Sequence, residues 1–120
     1  MSAYFVFEQQ TPTGETKEFV FELKNLVIIA EARQILANPG TLKNHVQGKI
    51  VASPAAYNPN WSFHLDPDTI GFFEMQIEVC DANVSYVEDH LDEIGGSTLP
   101  HNFWCPWSSK LTKEISFLQK

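Results

Sequence analysis

Phe19, Phe21 and Leu23 alternate with Glu18, Glu22 and Lys24. A strict period of two is satisfied only by an extended strand with one buried face, so the chain must build at least one sheet and cover one side of it. Residues 4–7 predict another strand before it, across the turn-forming run Thr11-Pro12-Thr13-Gly14. The pattern then changes. Asn25 is placed to cap a helix over 26–37, in which Ile28, Ala32, Ile35 and Leu36 recur at helical spacing until Asn38-Pro39-Gly40 stops it. Val46, Gly48, Ile50 and Ala52 predict a third strand. Trp61, Phe63 and Leu65 predict a short fourth with Ser62, His64 and Asp66 on its other face, and Met75, Ile77 and Val79 the buried face of a fifth, with Glu74, Gln76, Glu78 and Cys80 opposite. Asn83 or Asp81 is placed to cap a second helix with the stripe Val84, Val87, Leu91 and Ile94, ended by Gly95-Gly96. A loop over 97–109 leads to a last strand over 112–118 with Ile115 and Phe117 facing inward. The order ββαβββαβ predicts an α+β fold, a mostly antiparallel sheet of about five to six strands with two helices on its apolar face.

No repeat or linker divides the 120 residues, which predicts a single domain over 1–120. Apolar residues at 43% and charged residues at 19% exclude a disordered or collagen-like chain. No apolar run reaches the roughly 20 residues of a membrane span, and the first residues lack the basic start and apolar core of a signal peptide. The chain as written therefore reads as cytoplasmic if Met1 is native, and as extracellular if a leader has been removed. The net charge is −7, from 15 acids against 8 bases. Such a surface repels nucleic-acid phosphates and anionic lipid, so neither is an expected partner. Lys49 and Lys110 bracket a stretch with no Lys or Arg, which holds Asp66, Asp68, Glu74, Glu78, Asp81, Glu88, Asp89, Asp92 and Glu93. That acidic half either meets a cation or a basic partner, or serves as a solvated face.

Cys80 and Cys105 are too far apart in sequence for a Cys-x-x-Cys redox or zinc pair. They are expected within bridging distance as a disulfide in an oxidising compartment, or as two buried small apolar residues in a reducing one; no local signature marks a catalytic thiol. His64, Glu78, Asp81 and His90 are candidate ligands for a weakly held divalent cation, with His101 nearby in sequence, although no two histidines have a spacing that fixes them on one face. Asp66-Pro67-Asp68-Thr69-Ile70-Gly71 begins like a calcium loop, but Ile70 and Ile77 stand where ligands are needed, so it reads as a turn. Tyr57, Trp61, Trp104 and Trp107 lie in or beside turn-rich loops, where aromatic rings beside acids either stack on sugars or close the edge of a core. Asn60-Trp61-Ser62 and Asn83-Val84-Ser85 fit the N-glycosylation pattern, which matters only on a eukaryotic secretory route.

Tyr57-Asn58-Pro59, Trp61-Ser62-Phe63-His64-Leu65-Asp66-Pro67, Glu78-Val79-Cys80-Asp81, the run from Tyr86 through Glu88, Asp89 and His90 to Asp92 and Glu93, and Trp104-Cys105-Pro106-Trp107-Ser108 occur in this order. With these motifs the chain resembles a family of small domains labelled calmodulin-binding, which stand alone in bacteria and form the N-terminus of larger eukaryotic proteins. The resemblance implies a non-enzymatic interaction domain with a protein partner, calmodulin by the label, and it favours the disulfide because many members look exported. Calmodulin targets are usually basic amphipathic helices, whereas the second helix here is acidic; only residues 110–120 place bases among apolar anchors, Leu111, Ile115 and Leu118. The expected contact surface is the acidic half with its aromatic loops: Tyr57, Trp61, His64, Asp66, His90, Trp104 and Trp107. Two alternatives belong to other classes. One is a metal-dependent enzyme on His64, His90, Glu78 and Cys80; the other is a carbohydrate-binding module on Trp61, Trp104 and Trp107.

Overall fold

The computed structural model describes residues 2–75 and 80–117. In chain order its elements are β1 (Ala3–Gln10), β2 (Thr16–Leu23), α1 (Leu26–Ala37), β3 (His45–Val51), β4 (His64–Leu65), β5 (Gly71–Phe73), α2 (Val84–Asp89), β6 (Ile94–Gly95), β7 (Thr98–Pro100), β8 (Phe103–Trp104) and β9 (Ser109–Ile115). Short 3₁₀ turns occupy Pro67–Thr69 and Leu91–Glu93. The strands form three sheets: β2-β1-β9, a four-stranded group in which β3 pairs with β4, β5 and β8, and the small parallel pair β6-β7. The fold is α+β and mostly antiparallel, with more and shorter strands than the apolar pattern predicts.

The period-two stretch behaves as its spacing requires and pairs with the first strand. Phe5 faces Phe21 and Phe7 faces Phe19 across the β1–β2 ladder, and the last two rings stack at 5.1 Å. Gly14 closes the intervening turn at φ +88°, a left-handed conformation that a side chain would strain. The Asn25 side chain accepts hydrogen bonds from the backbone N–H groups of Val27 and Ile28, so α1 starts and stops where its local signals place it. Its buried face is Ile29, Ala32 and Ile35, with Ile28 and Leu36 at the edge. The β2-β1-β9 sheet and the β3 sheet share one core. Trp104 sits fully buried in it with its ring 5.8 Å from Phe7, 5.5 Å from Phe19 and 5.6 Å from Phe63. At Gly48 an added Cβ would lie 3.1 Å from Ile70, so glycine lets β3 pass close under the Pro67–Thr69 turn.

Four expectations are corrected. The strand after that turn is Gly71–Phe73, ahead of the expected stretch, because Phe72 faces the main core while Phe73 packs on the cysteines. A strand buried on both faces shows no alternation to read. Met75, expected to be inward, is 74% exposed, and residues 76–79 lie outside the described part. The second helix ends at Asp89 and Leu91 and Ile94 only reach the core's edge, since a 3₁₀ turn and β6 take up the rest of the stripe. The loop expected over 97–109 contains β7 and β8, the latter recruited by β3 through Gly48↔Trp104. In β9 the register against β1 slips between Val6 and Phe7, so that Phe7 faces Leu111 but Val6 faces Lys113. The extra residue, Thr112, reverses the sidedness of all that follows. Leu111 is buried, and Ile115 is carried to the face of Tyr4, away from the core. No helix among the described residues is long and apolar enough to cross a membrane.

Candidate binding surfaces

Gln9 occupies an inward position of β1, in line with the buried Phe5 and Phe7, and it is 2% exposed. Its Oε1 accepts the backbone N–H of Val84 at 2.7 Å, and its Nε2 donates to Ser108 Oγ at 2.9 Å and to the Ala82 carbonyl at 3.4 Å. The Trp104 indole N–H donates to the same carbonyl at 2.9 Å. Cys80 and Cys105 form a disulfide with Cα atoms 5.1 Å apart, and the Cys105 N–H donates to the Cys80 carbonyl. The Trp107 N–H donates to Asp81 Oδ1 at 2.8 Å. The segment from Cys80 to Val84 is thus held from three directions: by β1, by β8 and by the loop after it.

From this floor Asn83 caps α2 through the Tyr86 N–H, and Tyr86 stands outward, 42% exposed, with its ring stacked on His90 at 4.0 Å. Thr98–Pro100 forms the facing wall. Between them runs an open groove of about 640 Å³ lined by Asp81, Ala82, Asn83, Tyr86, Leu99 and Pro100. Shallower clefts that share Asn83 extend it toward Thr11 and Pro12 and toward Asp89. Leu99, His101 and Asn102 all take positive φ, 47°, 64° and 63°. Three non-glycine residues in this sparsely populated region cost of order 1 kcal/mol or more each, and such strain concentrates where a surface is shaped for use.

A second cluster forms on the far face of the first sheet. Tyr57 lies 6.3 Å from His64 in an edge-on arrangement, 5.3 Å from Tyr4 and 6.3 Å from Phe117. Its hydroxyl is pushed up to about 12, first by burial and then by the charges of Glu22 and Asp66 and the neighbouring Tyr4. His64 Nδ1 is 2.7 Å from the Ser53 carbonyl. Asp66 caps the Pro67–Thr69 turn by accepting the Asp68 N–H, which is what the acid-rich motif does here.

Of the residues singled out in the sequence, Tyr57, His64 and Asp66 therefore come together, and Asp81, His90 and Trp107 belong to the groove or its border. Trp104 is removed from any contact surface by complete burial, which corrects both its place in the aromatic surface and its share of a sugar platform. Trp61 is half-buried, with its indole N–H donated to the Glu18 carbonyl at 2.8 Å, and Trp107 is 43% exposed. Cys80 is spent in the disulfide and is not a free thiolate for a metal or a nucleophile. Glu78 lies outside the described residues. Among those described, no three of His, Cys, Asp and Glu gather in a way that would hold a metal ion. Sequence reasoning missed Gln9, Tyr86, Leu99, Tyr4, Glu22 and Phe117. Gln9 carried no signal of its own, since Ala3 to Phe7 is apolar throughout and Glu8 to Gln10 polar throughout.

The fold and these surfaces define a small disulfide-tied α+β domain with a groove beside its second helix. The chain belongs to the BP-74 N-terminal domain family, which it matches over residues 1–118, in keeping with the resemblance carried by its motifs. No curated protein and no solved structure matches it.

Proposed function

We propose that this domain is a non-enzymatic binding module and that the groove between α2 and β7 receives a protein segment with an apolar anchor and basic flanks. The supporting observation is the groove itself, in which Tyr86, Leu99 and Pro100 offer apolar wall beside Asp81, with Asp89 exposed on a cleft that joins it. Apolar pockets supply affinity and surrounding charge selects the partner and its orientation. Calmodulin, the partner that the family label implies, is itself acidic and would meet like charge here. The alternative docking segment, residues 110–120, includes all of β9 but its first residue, and there Leu111 belongs to the core and Lys113 is paired with Glu18 at 3.1 Å. Using Leu111 as an anchor would dismantle the sheet.

The test is a nuclear magnetic resonance titration with a short leucine- and lysine-containing peptide and with its glutamate counterpart. Salt-sensitive shifts confined to residues 81–89 and 97–101, given by the lysine peptide alone and lost in Tyr86→Ala, are expected. Equal shifts with both peptides, or none with either, would overturn the reading.

A further inference from the structure

We propose that Tyr4, Tyr57 and Phe117, with the carboxylates of Glu22 and Asp66, form a site for a small quaternary ammonium ion of the size of choline. The site lies on the outer face of the first sheet and is independent of the groove beside α2. It follows from the bulge in β9. Because the slip at Thr112 carries Ile115 to the side of Tyr4, the chain beyond it delivers Phe117 against Tyr4 at 5.4 Å instead of into the core. Tyr57 arrives from the other direction, on the loop that Asn58 fastens to the edge of β2 by accepting the Val20 N–H at 2.9 Å. All three rings are half-buried.

No two of these rings stack: their planes meet at 50°, 62° and 76°. An edge-to-face contact takes up one face of one ring and leaves that ring's other face clear of the contact, and it is the ring face that attracts a cation. Glu22 stands opposite Tyr4 in the β1–β2 ladder. Its negative field and that of Asp66 reach the Tyr57 hydroxyl, where together with burial they hold the proton on. Glu22 also raises the Tyr4 hydroxyl, after burial as the larger cause. Neither carboxylate is in an ion pair with a lysine, arginine or histidine among the described residues. Rings and uncompensated acids favour a cation that gives up little hydration on leaving water, and a quaternary ammonium, which has no N–H to solvate, fits better than a lysine ammonium.

The probe is choline, compared with its neutral isostere 3,3-dimethylbutan-1-ol, in a titration that follows the ring resonances of Tyr4, Tyr57 and Phe117. Choline is expected to give saturable shifts, and the isostere shifts at least about tenfold weaker at equal concentration, the size of a single good cation–ring contact. Tyr57→Phe keeps the ring and should keep binding, Tyr57→Leu should lose it, and Glu22→Gln should weaken it severalfold without touching the core. Bound choline should also lower the titration point of Tyr57, a readout that loose packing would not give. Equal shifts with the isostere, unchanged affinity in Glu22→Gln, or no saturation by choline would each overturn the proposal.

Discussion

Gln9 shows how one side chain can set the position of a distant surface. It lies on the first strand, yet it satisfies the Val84 N–H and grips Ala82 and Ser108, so the floor of the groove is placed by hydrogen bonds 73 to 99 residues away in sequence. Gln9→Leu keeps the volume and leaves the Val84 N–H orphaned in the interior. The variant should lose about 1–3 kcal/mol in urea unfolding, the usual cost of a buried unsatisfied donor, and its amide exchange should quicken first at 82–84. Tyr57 gives a second prediction at this scale. Its hydroxyl ionises only at about 12 in the folded chain, against the ordinary value of 10. A raised folded-state value means that its stabilising contribution is complete below pH 10 and is lost as pH rises from 10 through 12, because the unfolded chain releases the proton first. In a spectroscopic titration of the three tyrosines, Tyr57 should be the last tyrosinate to appear, and Tyr57→Phe should flatten the alkaline loss of stability.

At the scale of elements, what could be read from the sequence divides by where the cause lies. The bounds of α1 come from Asn25 in front and Asn38-Pro39-Gly40 behind, both local, and the structure reproduces them residue for residue. The inward face of β2 was likewise legible from alternation alone, whereas that of β1, apolar at every position from Tyr4 to Phe7, was not. β8 exists because β3 offers an edge at Gly48 and Lys49, more than fifty residues earlier, and nothing near Phe103 and Trp104 announces it. Ile115 was misplaced because a bulge is a matter of pairing between two strands and leaves no mark in the sequence of one. The candidate surfaces follow the same division. Tyr57, His64 and Asp66 are close in sequence and were recognisable as a group, whereas Tyr4, Glu22 and Phe117 join them only through the sheet. The disulfide links two such elements, tying the start of the Cys80–Val84 segment to the loop after β8. Its loop spans 25 residues, so C80A/C105A should cost about 3–4 kcal/mol in the chain-entropy model. Hydrogen exchange should rise most in 80–84 and 103–107, beyond the general increase in α1 that the lower global stability brings. No loss of stability would show that Gln9 and Trp104 hold the segment unaided, and uniform loosening that the bridge acts on the domain as a whole and not on this segment.

Over the whole molecule the defining feature is that the first strand is the middle strand of its sheet, with β2 on one side and β9 on the other. Ending the chain at Ser108 removes β9 and, with it, the buried Ser109 and Leu111. The shortened protein should lose its cooperative melting transition and not merely melt earlier, which calorimetry would show. A retained sharp transition would mean that β1 and β2 stand without their third strand. The same arrangement governs the order of events during synthesis. A ribosome delivers β1 and soon after it β2, which ends at Leu23, but the partner for the other edge of β1 begins only at Ser109. While residues 24–108 are being added the nascent chain carries an unpaired strand edge beside a row of phenylalanines, a form prone to pair with other chains. Translation speed through residues 24–108 and the supply of chaperones at the tunnel exit should therefore decide the yield of soluble protein more than the stability of the finished fold does.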